Sequence, residues 1–217
     1  MRRWLSGLLP RSNQKVRSAE GLGEFLSRQS FFIAQKCTAD YCKGKAGLAL
    51  FALDTEAAFK DALTICRWEG YAAMLPATAA IAERHLIDAG ATAAKTESCL
   101  LALVDKILAG HPRPAHRPQG WGDILDLLPE RLRWARIEPR PPLAEIAAPA
   151  ARRLFDVLPF HPSHRELDEE VVSNAVQFQF VAFSDRCRRQ IDLRAVALDI
   201  SGECGAPAAG QGRAAAG

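Results

Sequence analysis

The residues best suited to metal chemistry fall in one short stretch, HPSHRELDEE, where His161 and His164 precede Glu166, Asp168 and Glu170. His164 and Asp168 are four apart, a spacing that brings two side chains of a helix to one ion. A di-metal helical bundle would present Glu-x-x-His pairs on two helices, and this sequence holds none. The cheaper reading puts His161 in a turn and the acids at the positive end of a helix dipole. No metal or cofactor is therefore expected; His161, His164 and Asp168 are the candidates should one bind. His111 and His116 lie in a proline-rich segment and read as solvated.

Other chemistries fail on spacing. Gly44-Lys45, within CKGKAGL, lacks the frame of a phosphate-binding loop and a strand before it. A serine nucleophile needs G-x-S-x-G on a strand-to-helix turn, and Ser6, Ser30, Ser98 and Ser201 have the wrong neighbours. Gly122-Asp123-Ile124-Leu125 has the outline of a G-D-S-L block, with Ile124 where the nucleophile would stand. Catalytic residues stay unassigned.

The elements that would position any site are helices. The 217 residues are 48% hydrophobic and 24% charged, as in a globular chain with its own core. Val172, Val176, Phe180, Phe183, Cys187, Ile191 and Leu198 recur at helical steps, and Ser163 with Glu166 forms a capping box before them. This spacing predicts one helix of about ten turns from Ser163 to Asp199, around which the other helices are arranged. A first helix is expected from Gly23 to about Phe51, weakened by Gly44 and Gly47. A second, capped by Asp54 or Thr55, runs to Ala89 with a kink at Pro76. A third opens at Thr92 or Thr96 and stops at Gly110. After the proline-rich loop 111–120, Trp121–Ile137 reads as a helix pair broken at Pro129, and Leu143–Leu158 as a further helix. The fold class is all-α: a bundle of about five or six helices spanning 21–200. A basic flexible arm occupies 1–20, and a low-complexity disordered tail 201–217.

Two stretches, FLSRQSFFIAQKCTADYC and RELDEEVVSNAVQFQF, resemble an uncharacterised group of small helical proteobacterial proteins, some of which carry an automatic "esterase" label. The resemblance covers about a third of the chain. It implies a helical fold and a bacterial cytosolic setting, and through the label ester hydrolysis, with no catalytic motif to carry over.

Six cysteines without a C-x-x-C (Cys37, Cys42, Cys66, Cys99, Cys187 and Cys204) sit mostly at apolar helical positions, which suits a reducing cytoplasm. The formal net charge of +3 is too small to point to nucleic acid. Arg2, Arg3 and Trp4 suit a weak peripheral contact with an anionic membrane. Polar residues on the helices (Lys36 with Asp40, Arg67 and Glu69 around Trp68, Asn174, Gln177 and Gln179) read as surface pairs rather than a buried network. Phe31, Phe32 and Phe178 exceed what one helix face buries; they read first as a wide core face, and otherwise as a protein-partner groove or a homodimer seam. The expected function is that of a non-enzymatic binding or assembly protein, acting at the membrane surface if the arm engages lipid. The alternatives are an ester hydrolase and a small apolar ligand held among the alanines around Pro76.

Overall fold

The computed structural model describes residues 15–202. The arm residues Arg2, Arg3 and Trp4 and the tail from 203 lie outside them. The described chain is an all-α bundle, as the sequence periodicity leads one to expect. Helix α1 is Ala19–Ala46, α2 the single turn Leu50–Leu53, α3 Ala57–Asp88 and α4 Ala93–Ala109. Helix α5 is Gly122–Ala135, α6 Leu143–Asp156, α7 Glu169–Gln190 and α8 Leu193–Ser201.

Several ends follow from single residues. The Ser18 hydroxyl accepts the amide of Gly21 and starts α1. Gly47, at φ +52°, ends it in a backbone conformation that suits glycine. Helices α5 and α6 run unbroken through Pro129 and Pro149, and α3 through Pro76. Trp121–Ile137 is thus one helix and not a broken pair. Each proline gives up its N–H and crowds the carbonyl four residues back, and the packed face of the helix holds the turns on either side together.

The expected ten-turn final helix is two helices. Ile191 takes an extended conformation and forms a parallel bridge with Val16. The Val16 amide donates to Gln190, and its carbonyl accepts from Asp192, both at 2.8 Å. Asp192 then caps α8 by accepting the amide of Ala195. The buried stripe stops at Ile191, and Leu198 is exposed. At the other end, Ser163 belongs to a 3-10 turn and no capping box forms. Arg165 is drawn inward instead, where it donates to the carbonyls of Phe155, Asp156 and Phe160 at the end of α6. The chain has to pass that anchor before α7 can begin.

Helix α3, and not α7, is the element the bundle is built on, with α1, α4, α5, α6, α7 and α8 all packed against it. Its middle is small: Ala72, Ala77, Ala79, Ala80 and Ala82 are buried, and a Cβ at Gly70 would come within 2.9 Å of Leu154. Those side chains let helices approach closely on several sides. Among the described residues, no helix is long and apolar enough to cross a membrane.

Candidate functional site

On α3 the residues Glu69, Ala73, Pro76, Ala80 and Glu83 follow one another at steps of four and three, so they share one stripe of the helix. Ala73, Pro76 and Ala80 form the floor of a cleft of about 260 Å³ between α3, α5 and α6. Its walls are Ile124, Leu127 and Trp134 from α5 and Ile146, Pro149 and Ala150 from α6. Arg131 and Arg153 supply positive charge at its edge, and Asp123 a negative one. A wider depression of about 610 Å³ adjoins it and shares Asp123 and Arg153.

Glu69 closes one end of the stripe. Only 3% of it is exposed, and three side chains meet its carboxylate. Arg117 donates through Nε to Oε1 and through Nη2 to Oε2, the latter at 2.8 Å. Arg153 reaches Oε2 through Nε, at 3.1 Å, and through Nη2. His116 Nε2 lies 2.9 Å from Oε1. Burial alone would raise this carboxyl's pKa, but the hydrogen bonds and charges of Arg117 and Arg153 outweigh it and bring the pKa down to about 2. Arg117 is itself tied to Asp123 at 2.6 Å and stacks on Trp121 at 4.4 Å. An ionised carboxylate with both oxygens engaged is a poor general base. It serves instead to fix Arg153 at the mouth of the cleft. Arg131 makes no ion pair among the described residues.

Glu83 closes the other end and is fully buried. Its Oε1 accepts from Arg136 at 3.1 Å, and its Oε2 has no partner among the described residues. Burial raises its pKa, Arg136 lowers it and the neighbouring Glu97 raises it again, leaving it at about 7.

Elsewhere the polar groups are structural in placement. His85 Nε2 meets Ser184 Oγ at 2.9 Å, but Ser184 is only 4% exposed. Burial lowers the pKa of His85. Ser27, Tyr71 and His111 form a chain with steps of 2.8 and 3.1 Å beside Trp68. The thiols of Cys37, Cys42, Cys66 and Cys187 are buried and unpaired, and burial raises the pKa of each well above the ordinary thiol value.

The residues singled out from sequence are dispersed. His164 lies in the 3-10 turn and His161 caps its start, with the His161 ring against Ser163. The Asp168 carboxylate turns away to accept from Tyr41 and Lys45, both at 2.7 Å. The three therefore do not converge, and no metal-holding group of His, Cys, Asp or Glu forms among the described residues. Phe31 packs edge-on to Tyr71, Phe32 lies under Arg186, and Phe178 projects outward from α7. Lys36 and Asp40 form the expected surface pair, and Gln177 bonds Ser173. Glu69 overturns the surface reading of its group. His111 and His116, expected to be solvated, are part-buried partners of Tyr71 and Glu69. The heptad-like run from Glu69 to Glu83 in an alanine-rich helix was the available signal for the cleft. Arg117 and Arg153 carry no local one.

Comparison of the chain with protein-family models, curated proteins and solved structures returns no match.

Proposed function

We propose that this protein is a non-enzymatic binding protein that holds a small amphiphile, an apolar body with a carboxylate or similar anion, in the cleft of α3, α5 and α6. The observation that carries this reading is the composition of the cleft. Its floor and walls are alanine, proline, isoleucine, leucine and tryptophan, and its edge holds two arginines, one of them without an acid partner. Apolar lining with a few placed charges is the usual make-up of a small-molecule site. Arg153 is held in position by Glu69, which lowers the entropy lost when a ligand anion is gripped. The buried, unpaired thiols favour a reducing compartment such as the bacterial cytoplasm.

Trp134 lines the cleft, so its fluorescence reports occupancy. Titration with decanoate should give a saturable change, and decanol should bind about ten- to a hundredfold more weakly, since a charged hydrogen bond contributes roughly 1.5–3 kcal/mol. Arg131→Gln should remove most of that difference. Equal binding of acid and alcohol would refute the anion preference, and no saturable signal with either would end the cleft reading. Native mass spectrometry of the freshly purified protein should show added mass.

A further inference from the structure

Helix α7 buries Val172, Val176, Phe180, Phe183 and Cys187 in the bundle. It also carries a second regular stripe. Val171, Asn174, Phe178, Val181, Asp185 and Arg188 are all exposed, and they follow one another at alternating steps of three and four. That is the spacing of a helix-pairing seam. Val171 is 64% exposed, Phe178 74% and Val181 53%, so the apolar part of the stripe has little cover from the described residues. None of these residues lines the α3–α5–α6 cleft.

Charge and symmetry identify the occupant. Glu169 and Glu170 stand at the N-terminal end of α7, and Arg188 and Arg189 at its C-terminal end. The stripe is symmetric about the midpoint between Gln179 and Phe180. When a second helix of the same sequence is turned end for end, Phe178 meets Val181, Asn174 meets Asp185 and Glu170 meets Arg189. Parallel pairing would instead set Glu170 against Glu170 and Arg189 against Arg189, which is repulsive. We propose that α7 docks against α7 of a second copy of this chain, antiparallel and about a twofold axis. Each contact then occurs twice, as a closed isologous interface requires. Phe178 lies next to the axis, where anchor residues contribute most. Asp185, which among the described residues has only Arg188 and Arg189 of its own helix, at 3.6 and 3.5 Å, gains the Asn174 amide of the second copy.

The test is sedimentation equilibrium of the full chain, whose mass is 23.7 kDa, over a range reaching about 100 μM. A mass of twice that value is expected. Phe178→Asp should weaken the dimer by about thirtyfold or more, the loss that goes with a central anchor. Glu170→Arg and Arg189→Glu should each weaken it, and the double reversal should bring it back to within about threefold of the natural chain. Nineteen residues separate these two positions, about 28 Å along one helix, so such rescue cannot arise within a single chain. Thermal melts of each variant at monomeric concentration keep folding defects apart from association. A monomer throughout the range overturns the proposal. So does a dimer that tolerates Phe178→Asp, or one in which the double reversal rescues nothing.

Discussion

Glu69 and Glu83 are the same residue type on the same stripe of the same helix, four turns apart and both buried, yet their carboxyls move in opposite directions. Two guanidiniums fork onto Glu69 and satisfy both oxygens. Glu83 has one guanidinium, on one oxygen, and that arginine is shared with Glu97 at 2.5 Å. Burial alone therefore does not set the state of a carboxyl; the number of donors aimed at it does. One end of the stripe is a fixed charge. The other is a carboxyl near half-protonation at neutral pH.

The largest effect that should separate the two follows from cutting the better-paired one. Glu69→Leu leaves Arg153 with no acid partner among the described residues and Arg117 with Asp123 alone, and urea denaturation should show a loss of about 3–5 kcal/mol. A loss under about 1 kcal/mol would mean that the arginines relax to solvent and that the network is not structural.

The second effect is in pH. The folded pKa of Glu83, about 7, lies above the reference value of 4.5, so the folded state binds the extra proton. Its contribution is complete below about 4.5 and is lost as pH rises through 7, on the order of 3 kcal/mol in all. Glu69, lowered to about 2, does the reverse: its contribution is present above 4.5 and is lost as pH falls towards 2. The two windows barely overlap. Denaturation midpoints measured from pH 3 to pH 8 should therefore peak near 4.5, and Glu83→Gln should flatten the limb above it. An unchanged upper limb in that variant would show that Glu83 is not the group responsible.

A smaller change would make the two ends more alike. Arg153→Gln removes one fork from Glu69 and should cost about 1–3 kcal/mol, with the acid limb shifting to higher pH. Smallest of all, Glu97→Gln removes the like charge beside Glu83 and should lower the midpoint of the upper limb, with a change of roughly 0.5–1 kcal/mol at pH 8. A shift upward would mean that Glu97 acts mainly by holding Arg136 in place.

What could be read from the sequence was local. The period of the apolar residues indicated helices, and Gly110 marked the end of one; the first stops at Gly47, short of the expected Phe51. What could not be read depended on distant partners. The break at Ile191 is made by Val16, and the late start of α7 by Arg165 reaching back to the end of α6. Nothing near Glu69 reveals that Arg117 and Arg153, 48 and 84 positions away, converge on it. Prolines misled for a related reason: local rules assign a stop at Pro129, whereas tertiary packing carries the helix through. The stripe of Phe178 was visible only as an excess of aromatics. Its regular spacing became meaningful once the buried face of α7 was known.

The bridge between Val16 and Ile191 also bears on biosynthesis. The Ala19 amide, at the first turn of α1, is satisfied by the Asp199 carboxylate at 2.8 Å, across a separation of 180 residues. A ribosome adding 5–20 residues per second needs roughly 10–40 s to supply that acceptor. Until then the start of α1 waits with an open donor, and its bundle-facing side has no α7 to cover it. Final closure of this fold is therefore an event late in translation or after it, and the α7-facing side of α1 is the surface a chaperone would meet.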